Sequence, residues 1–102
     1  NMSVRKGYLG IGAQVAQFPA AVSETLGQET GLLVVSVEPG SAAEKAGLLL
    51  GDTIVALDGE PLRQLDDLLS RLSGEAVGKT MTIKVLRGGS VQDLSATIGE
   101  RK

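Results

Sequence analysis

The sequence predicts a small, mainly β domain of the α+β class, a partly open antiparallel barrel of five or six strands capped by two or three helices. Three observations carry that expectation. Short runs of β-branched or alternating apolar residues recur between glycine-containing turns, at lengths suited to strands. The few helical stretches never settle into a βαβαβ alternation. A chain of 102 residues, 42% of them hydrophobic, is the right size for one domain with one core.

Taken in order, Gly7-Tyr8-Leu9-Gly10-Ile11 mixes glycine with large apolar residues, as a loop feeding a strand at Ile11 would. Pro19 near a first turn and Gly27 past a last turn frame a short helix, with Ala21, Val22 and Leu26 on its inner side. Gly31 to Val37 is a nearly continuous β-branched run, as in a central strand, and Pro39-Gly40 closes it. Ser41 caps a brief helix with Glu44 at capping-box spacing, Gly47 stops it, and Leu48 and Leu50 return to the core. Thr53 to Leu57 reads as a strand, Asp58-Gly59 as a tight hairpin turn, and Pro61-Leu62 as a short returning strand. Leu65, Leu68, Leu69 and Leu72 recur at helical spacing, with Asp66 and Asp67 in the favourable first turn. Thr80 to Leu86 and Val91 to Ile98 alternate around Gly88-Gly89 and form a terminal hairpin. The domain thus fills 1–102, with a folded core over about 7–98 and extensions at 1–6 and 99–102. Asn1 ahead of Met2 reads like an added residue before a start methionine, and an internal segment of a longer chain would look similar.

Composition excludes several functions. Histidine and cysteine are both absent, so Ser-His-Asp and Cys-His arrangements, His-based zinc sites, thiolate nucleophiles and disulfides are closed to this chain. No cofactor and no metal site are expected. A net charge of -2, with Arg5-Lys6 and Arg101-Lys102 near the ends and only Tyr8 and Phe18 as aromatics, lacks a nucleic-acid footprint. The apolar runs are too short to span a bilayer, so no membrane insertion is expected.

Among residues that suggest chemistry, Asp66 and Asp67 are consecutive on a helix, point about 100° apart, and do not converge on one atom. They read as helix-start electrostatics. Ser90 lacks a base and a nucleophile-elbow frame, and is a turn serine. The glycines Gly7, Gly10 and Gly12 fail the dinucleotide pattern because Val15 stands where a third glycine belongs. They suit a different task. A loop of small residues entering an exposed strand can converge its N–H groups on an anion, such as a peptide's terminal carboxylate. The strand Ile11, Gly12, Ala13, Gln14, Val15 would then receive the peptide as an added strand, with the helix from Leu65 to Leu72 as one groove wall. The competing reading makes Leu9, Ile11, Leu68, Leu69 and Leu72 simply core.

Gly31-Leu32-Leu33-Val34, Pro39-Gly40-Ser41-Ala42-Ala43-Glu44-Lys45-Ala46-Gly47-Leu48, Gly51-Asp52-Thr53-Ile54 and Asp58-Gly59-Glu60-Pro61-Leu62 resemble the core signature of a bacterial, circularly permuted PDZ domain. Gly7-Tyr8-Leu9-Gly10-Ile11, preceded by Lys6, is similar to the carboxylate-binding loop that opens the PDZ domain of HtrA/Deg trypsin-like serine proteases. The resemblance spans almost the whole chain. It implies a non-catalytic module for substrate recognition or regulation in protein quality control, with the protease domain of the same parent chain as a partner and the cell envelope, or periplasm, as location. It also implies that Lys6, Tyr8, Leu9, Gly10 and Ile11 hold the carboxylate of C-terminal or unfolded-protein peptides. Ile11 to Val15 would pair with the peptide, and Leu65, Leu68, Leu69, Arg71 and Leu72 would offer the groove helix. Small apolar termini and micromolar affinity, about -8 kcal/mol, are expected. Gly10→Val is expected to abolish binding while sparing the fold. The alternatives are a PDZ domain from a site-2-type metalloprotease, a C-terminal processing protease or a secretion component, or a structural interdomain docking module.

Overall fold

A computed structural model describes residues 6–101. The readings of Asn1, Met2 and the terminal Arg5 and Lys102 lie outside them. In chain order the elements are β1 (Lys6–Tyr8), β2 (Ile11–Gln17), α1 (Ala20–Leu26), β3 (Thr30–Val37), α2 (Ala42–Ala46), β4 (Thr53–Leu57) and β5 (Glu60–Pro61). There follow α3 (Leu65–Arg71), a 3₁₀ turn (Gly74–Ala76), β6 (Thr80–Arg87), β7 (Ser90–Thr97) and β8 (Gly99–Arg101).

The main sheet runs β2-β3-β4-β6-β7, with β5 paired to β4, and every pairing is antiparallel. It is open, with β2 and β7 as its edges. Directly paired residues share a face, so Val15, Leu32, Ile54 and Val85 form one row across four strands. The inner three are at most 1% exposed and centre the core, to which Leu9, Leu57, Leu62, Leu68, Leu72, Ile83 and Ile98 contribute.

Local chemistry sets the element ends largely as the sequence foretells. The Ser41 hydroxyl accepts from the Glu44 N–H at 3.1 Å, the Glu44 carboxylate accepts from the Gly40 N–H at 2.7 Å, and Gly47 ends α2 in the left-handed region. Asp58 and Gly59 both adopt positive φ, at 49° and 81°, as a tight hairpin turn needs. Asp67 works through its carboxylate, which accepts from the Arg63 and Gln64 N–H groups ahead of α3 at 2.8 and 3.2 Å.

Four expectations differ from the structure. Leu50 is 68% exposed while Leu48 is buried, because the tight turn closed by Asp52 N–H to the Leu49 carbonyl throws the intervening side chain outward. The short strand after the hairpin turn is Glu60–Pro61, and Leu62 drops into the core. Helix α1 has no buried residue; Val22 and Leu26 are half-buried and Ala21 is exposed, so its packing is peripheral. Lys6 and Gly99–Arg101, expected as parts of terminal extensions, instead form a ribbon in which β1 pairs antiparallel with β8.

Two buried polar groups tie the layers together. The Gln28 amide donates to the carbonyls of Thr30, Val55 and Leu62 at 2.8, 3.1 and 3.1 Å, joining β3, β4 and the residue after β5. Asp52, 2% exposed, accepts two hydrogen bonds of 2.7 Å from the Arg87 guanidinium and one of 2.9 Å from the Leu49 N–H. Burial pushes the Asp52 carboxyl up, but the Arg87 and Leu49 hydrogen bonds and the Arg87 charge together outweigh it and hold the group below its ordinary range.

Candidate functional site

Between β2 and α3 lies a cleft of about 630 Å³ whose walls come from β1, the following loop and the groove helix. Leu9, Gly10 and Ile11 line one side, Leu68, Leu69 and Leu72 the other, and Lys6, Gly7, Tyr8, Ser73 and Gly74 its head. Leu9, Leu68 and Leu72 are 2%, 6% and 8% exposed and double as core, which anchors the floor. Leu69 is 66% exposed and forms an apolar lip.

The loop faces the cleft with donors because its acceptors are used behind it. The Leu9 carbonyl accepts from the Ala43 N–H, and the Gly10 carbonyl from the Glu38 N–H, each at 2.8 Å. The peptide bonds of the described residues are trans, so the next N–H in each case, on Gly10 and on Ile11, points the opposite way, away from Ala43 and Glu38. A similar argument covers Leu9. Gly7 donates to the Leu72 carbonyl at 2.8 Å, so strand alternation turns Tyr8 toward its β8 partner Gly99 and leaves the Leu9 N–H facing back to the cleft. The loop turns at Gly10, with φ at 90°. Three successive residues, Leu9, Gly10 and Ile11, thus stand at the head of an apolar cleft with N–H groups that the carbonyl bonds behind the loop leave uncommitted, an arrangement that can receive an anion, and among the described residues Lys6 is the one charged residue in the lining.

Beyond the loop, β2 is an edge strand whose far side has no strand partner among the described residues. Ile11 keeps its N–H and C=O on that side, and α3 packs alongside. An extended chain with a terminal carboxylate fits these features together. Among the described residues no group of three or more acidic side chains is placed to hold a metal, and no helix is long and apolar enough to cross a membrane.

The PDZ domain family model matches residues 7–98. This chain belongs to the PDZ domain family. A probable periplasmic DegP-like serine endoprotease of Rhizobium meliloti (strain 1021) is 35% identical over 97 residues, covering 95% of this PDZ domain and 19% of the relative. Another of the same name from Hahella chejuensis (strain KCTC 2396) is 34% identical over 98 residues, covering 96% and 21%. The PDZ domain therefore spans about a fifth of the length of these relatives. A solved structure described as the HtrA-type protease AlgW with decapeptide superposes with a TM-score of 0.76 at 28% identity, covering 96% of this chain and 30% of the other.

Of the residues singled out in the sequence, the PDZ fold brings Lys6, Tyr8, Leu9, Gly10, Ile11, Leu68, Leu69 and Leu72 to the cleft and puts Gly12 to Val15 along the open edge of β2. Leu65 and Arg71 are not in the lining. Leu65, 42% exposed, starts α3 away from the loop, and Arg71 turns to Glu60 in an ion pair of 3.0 Å. Helical spacing alone left that register open by one residue. Gly7, read in the sequence as the start of the loop, lines the cleft as well, whereas Ser73 and Gly74 escaped the sequence reading, because they join the cleft only through β1 meeting the end of α3. The Tyr8 hydroxyl donates to the Glu38 carboxylate at 2.9 Å. Gly10 is also more constrained than expected: a Cβ there would overlap Ser41, the cap of α2, so Gly10→Val strikes the fold as well as the loop.

Proposed function

We propose that this PDZ domain binds the free C-terminus of apolar-ended peptides by strand addition, as the non-catalytic recognition and regulatory module of a DegP-like serine protease of the periplasm. The observation that carries the reading is the engagement of the Leu9 and Gly10 carbonyls by the Ala43 and Glu38 N–H groups behind the loop, at the head of an apolar cleft beside an open strand edge, which leaves the N–H groups of the loop for a ligand. The carboxylate takes the three N–H groups, with Lys6 adding longer-range attraction. The last side chain enters between Leu9, Ile11, Leu68, Leu69 and Leu72, and the peptide backbone pairs with β2 from Ile11 toward Val15. The peptide-bearing HtrA-type structure and the periplasmic names of the relatives support the parent and the compartment.

An amide-resolved NMR titration with peptides ending in Val, Ala, Leu or Phe, each as free acid and C-terminal amide, tests this. Shifts centred on residues 9–15 and α3 and lost on amidation are expected. Saturable shifts elsewhere, or none at millimolar peptide, overturn the reading in favour of an internal-motif reader or an intramolecular docking module.

A further inference from the structure

We propose that β8 regulates this same cleft: pairing of Gly99–Arg101 with Lys6–Tyr8 holds the loop of Leu9, Gly10 and Ile11 in its binding geometry, and separation of the two strands weakens peptide binding. The proposal rests on the peptide-binding reading above. Strand β1 is gripped on both edges. On one, Gly7 donates to the Leu72 carbonyl and Lys6 bridges to Ser73, at the end of the groove helix. On the other, alternation turns Lys6 and Tyr8 to Arg101 and Gly99. The next residue along the chain is Leu9, so whatever moves β1 moves the loop.

The strap is separable from the core. Ile98, 2% exposed, is tied by its own backbone, donating to the Lys79 carbonyl at 2.9 Å and accepting from the Gly78 N–H at 2.8 Å. A Cβ on Gly7 would stand 3.0 Å from the Ile98 side chain and 3.1 Å from the Leu72 oxygen, so the middle of β1 is held by core residues. Beyond Ile98, β8 is three residues long, with Glu100 exposed. The paired Tyr8 and Gly99 are half-buried and Lys6 is exposed, and so short a pairing outside the main sheet opens locally at lower free energy than the whole fold. Opening frees the outer edge of Tyr8, the residue whose carbonyl direction aims the Leu9 N–H. Any segment joined to β8 therefore acts on the cleft through this ribbon, and by reciprocity bound peptide tightens the ribbon by the same factor.

The test compares the full chain with a chain ending at Ile98 and with Gly99→Pro, which removes the N–H that faces Tyr8. Dissociation constants are measured for a peptide ending in Val as the free acid, and hydrogen exchange of residues 6–8 and 99–101 is followed in the full chain with and without that peptide. Folded variants binding at least about fivefold more weakly, and exchange slowed by the peptide in the full chain, are expected. Binding within about twofold of the full chain in a folded variant, or exchange in the ribbon indifferent to saturating peptide, overturns the inference while the peptide-binding reading stands. Failure of the full chain to bind any free-acid peptide removes both. The exchange measurement decides the matter even where a variant does not fold.

Discussion

The Ala43 N–H donates to the Leu9 carbonyl at 2.8 Å, so the first turn of α2 holds the back of the loop that heads the cleft. Ala43 is fully buried, which makes the grip part of the core. Loop geometry and fold stability are therefore coupled through α2, and the coupling governs how the loop responds to substitution.

Gly10→Ala tests that coupling. The methyl group overlaps Ser41 and the residue must hold φ near 90°, so both the cap of α2 and the loop are strained. We expect a stability loss of about 1–3 kcal/mol together with loss of peptide binding. Urea unfolding and peptide titration on the same sample check this; an unchanged midpoint would contradict the Ser41 overlap.

Leu68 and Leu69 separate packing from recognition. Leu68 is 6% exposed and Leu69 66%, although both line the cleft. Leu68→Ala is expected to cost about 2–4 kcal/mol of stability. Leu69→Ala should leave stability within about 0.5 kcal/mol and weaken peptide binding by roughly 1 kcal/mol, about fivefold. Paired unfolding and binding curves reveal the contrast, and equal stability losses would remove it.

Gln28 is a single side chain serving three carbonyls, those of Thr30, Val55 and Leu62. Gln28→Leu keeps the bulk and removes the donor; the Val55 carbonyl still accepts from the Leu62 N–H at 2.9 Å, while the Thr30 and Leu62 carbonyls lose this partner, at a cost of about 1–3 kcal/mol. Thermal unfolding measures it. Peptide affinity should stay at the wild-type value, since the cleft is lined from other elements.

Asp52 sets an acid limit on stability. Its carboxyl lies below its ordinary range in the folded chain, so the unfolded chain takes up its proton first as the pH falls. The contribution is complete above the unfolded value of about 3.9 and is lost as the pH drops through the lower native value. Asp52→Asn is expected to be less stable near neutrality and to show a flatter decline below about pH 4. Unfolding midpoints from pH 7 to pH 2 test the sign, and parallel profiles for the two proteins would contradict it.

Patterns with a strict local cause were legible before any coordinates. The β-branched run around Leu32 to Val37, the Ser41-Glu44 cap, the Asp58-Gly59 turn and the leucine spacing of α3 each follow from periodicity or from a side chain bonding its own neighbourhood. Half of the cleft was legible on the same terms, since glycine at position 10 and the apolar residues around it announce a loop of unusual dihedrals entering a strand. The absence of histidine and cysteine was equally plain, and it closed Ser-His-Asp, Cys-His and thiolate arrangements to this chain.

What sequence could not decide was anything set by pieces distant along the chain. Leu68, Leu69 and Leu72 serve the cleft while Leu65 and Arg71 do not, because the rotation of α3 is set by where Leu68 and Leu72 find the core and where Arg71 finds Glu60. Leu50 faces solvent because the backbone around it is spent on a tight turn against β3. The ribbon of β1 and β8 joins residues more than ninety positions apart, a pairing that no local propensity encodes. The chain's own pattern determined which elements form and where the loop bends. Only tertiary packing decided which way its N–H groups point, because each is aimed by a carbonyl bonded to a different element behind it.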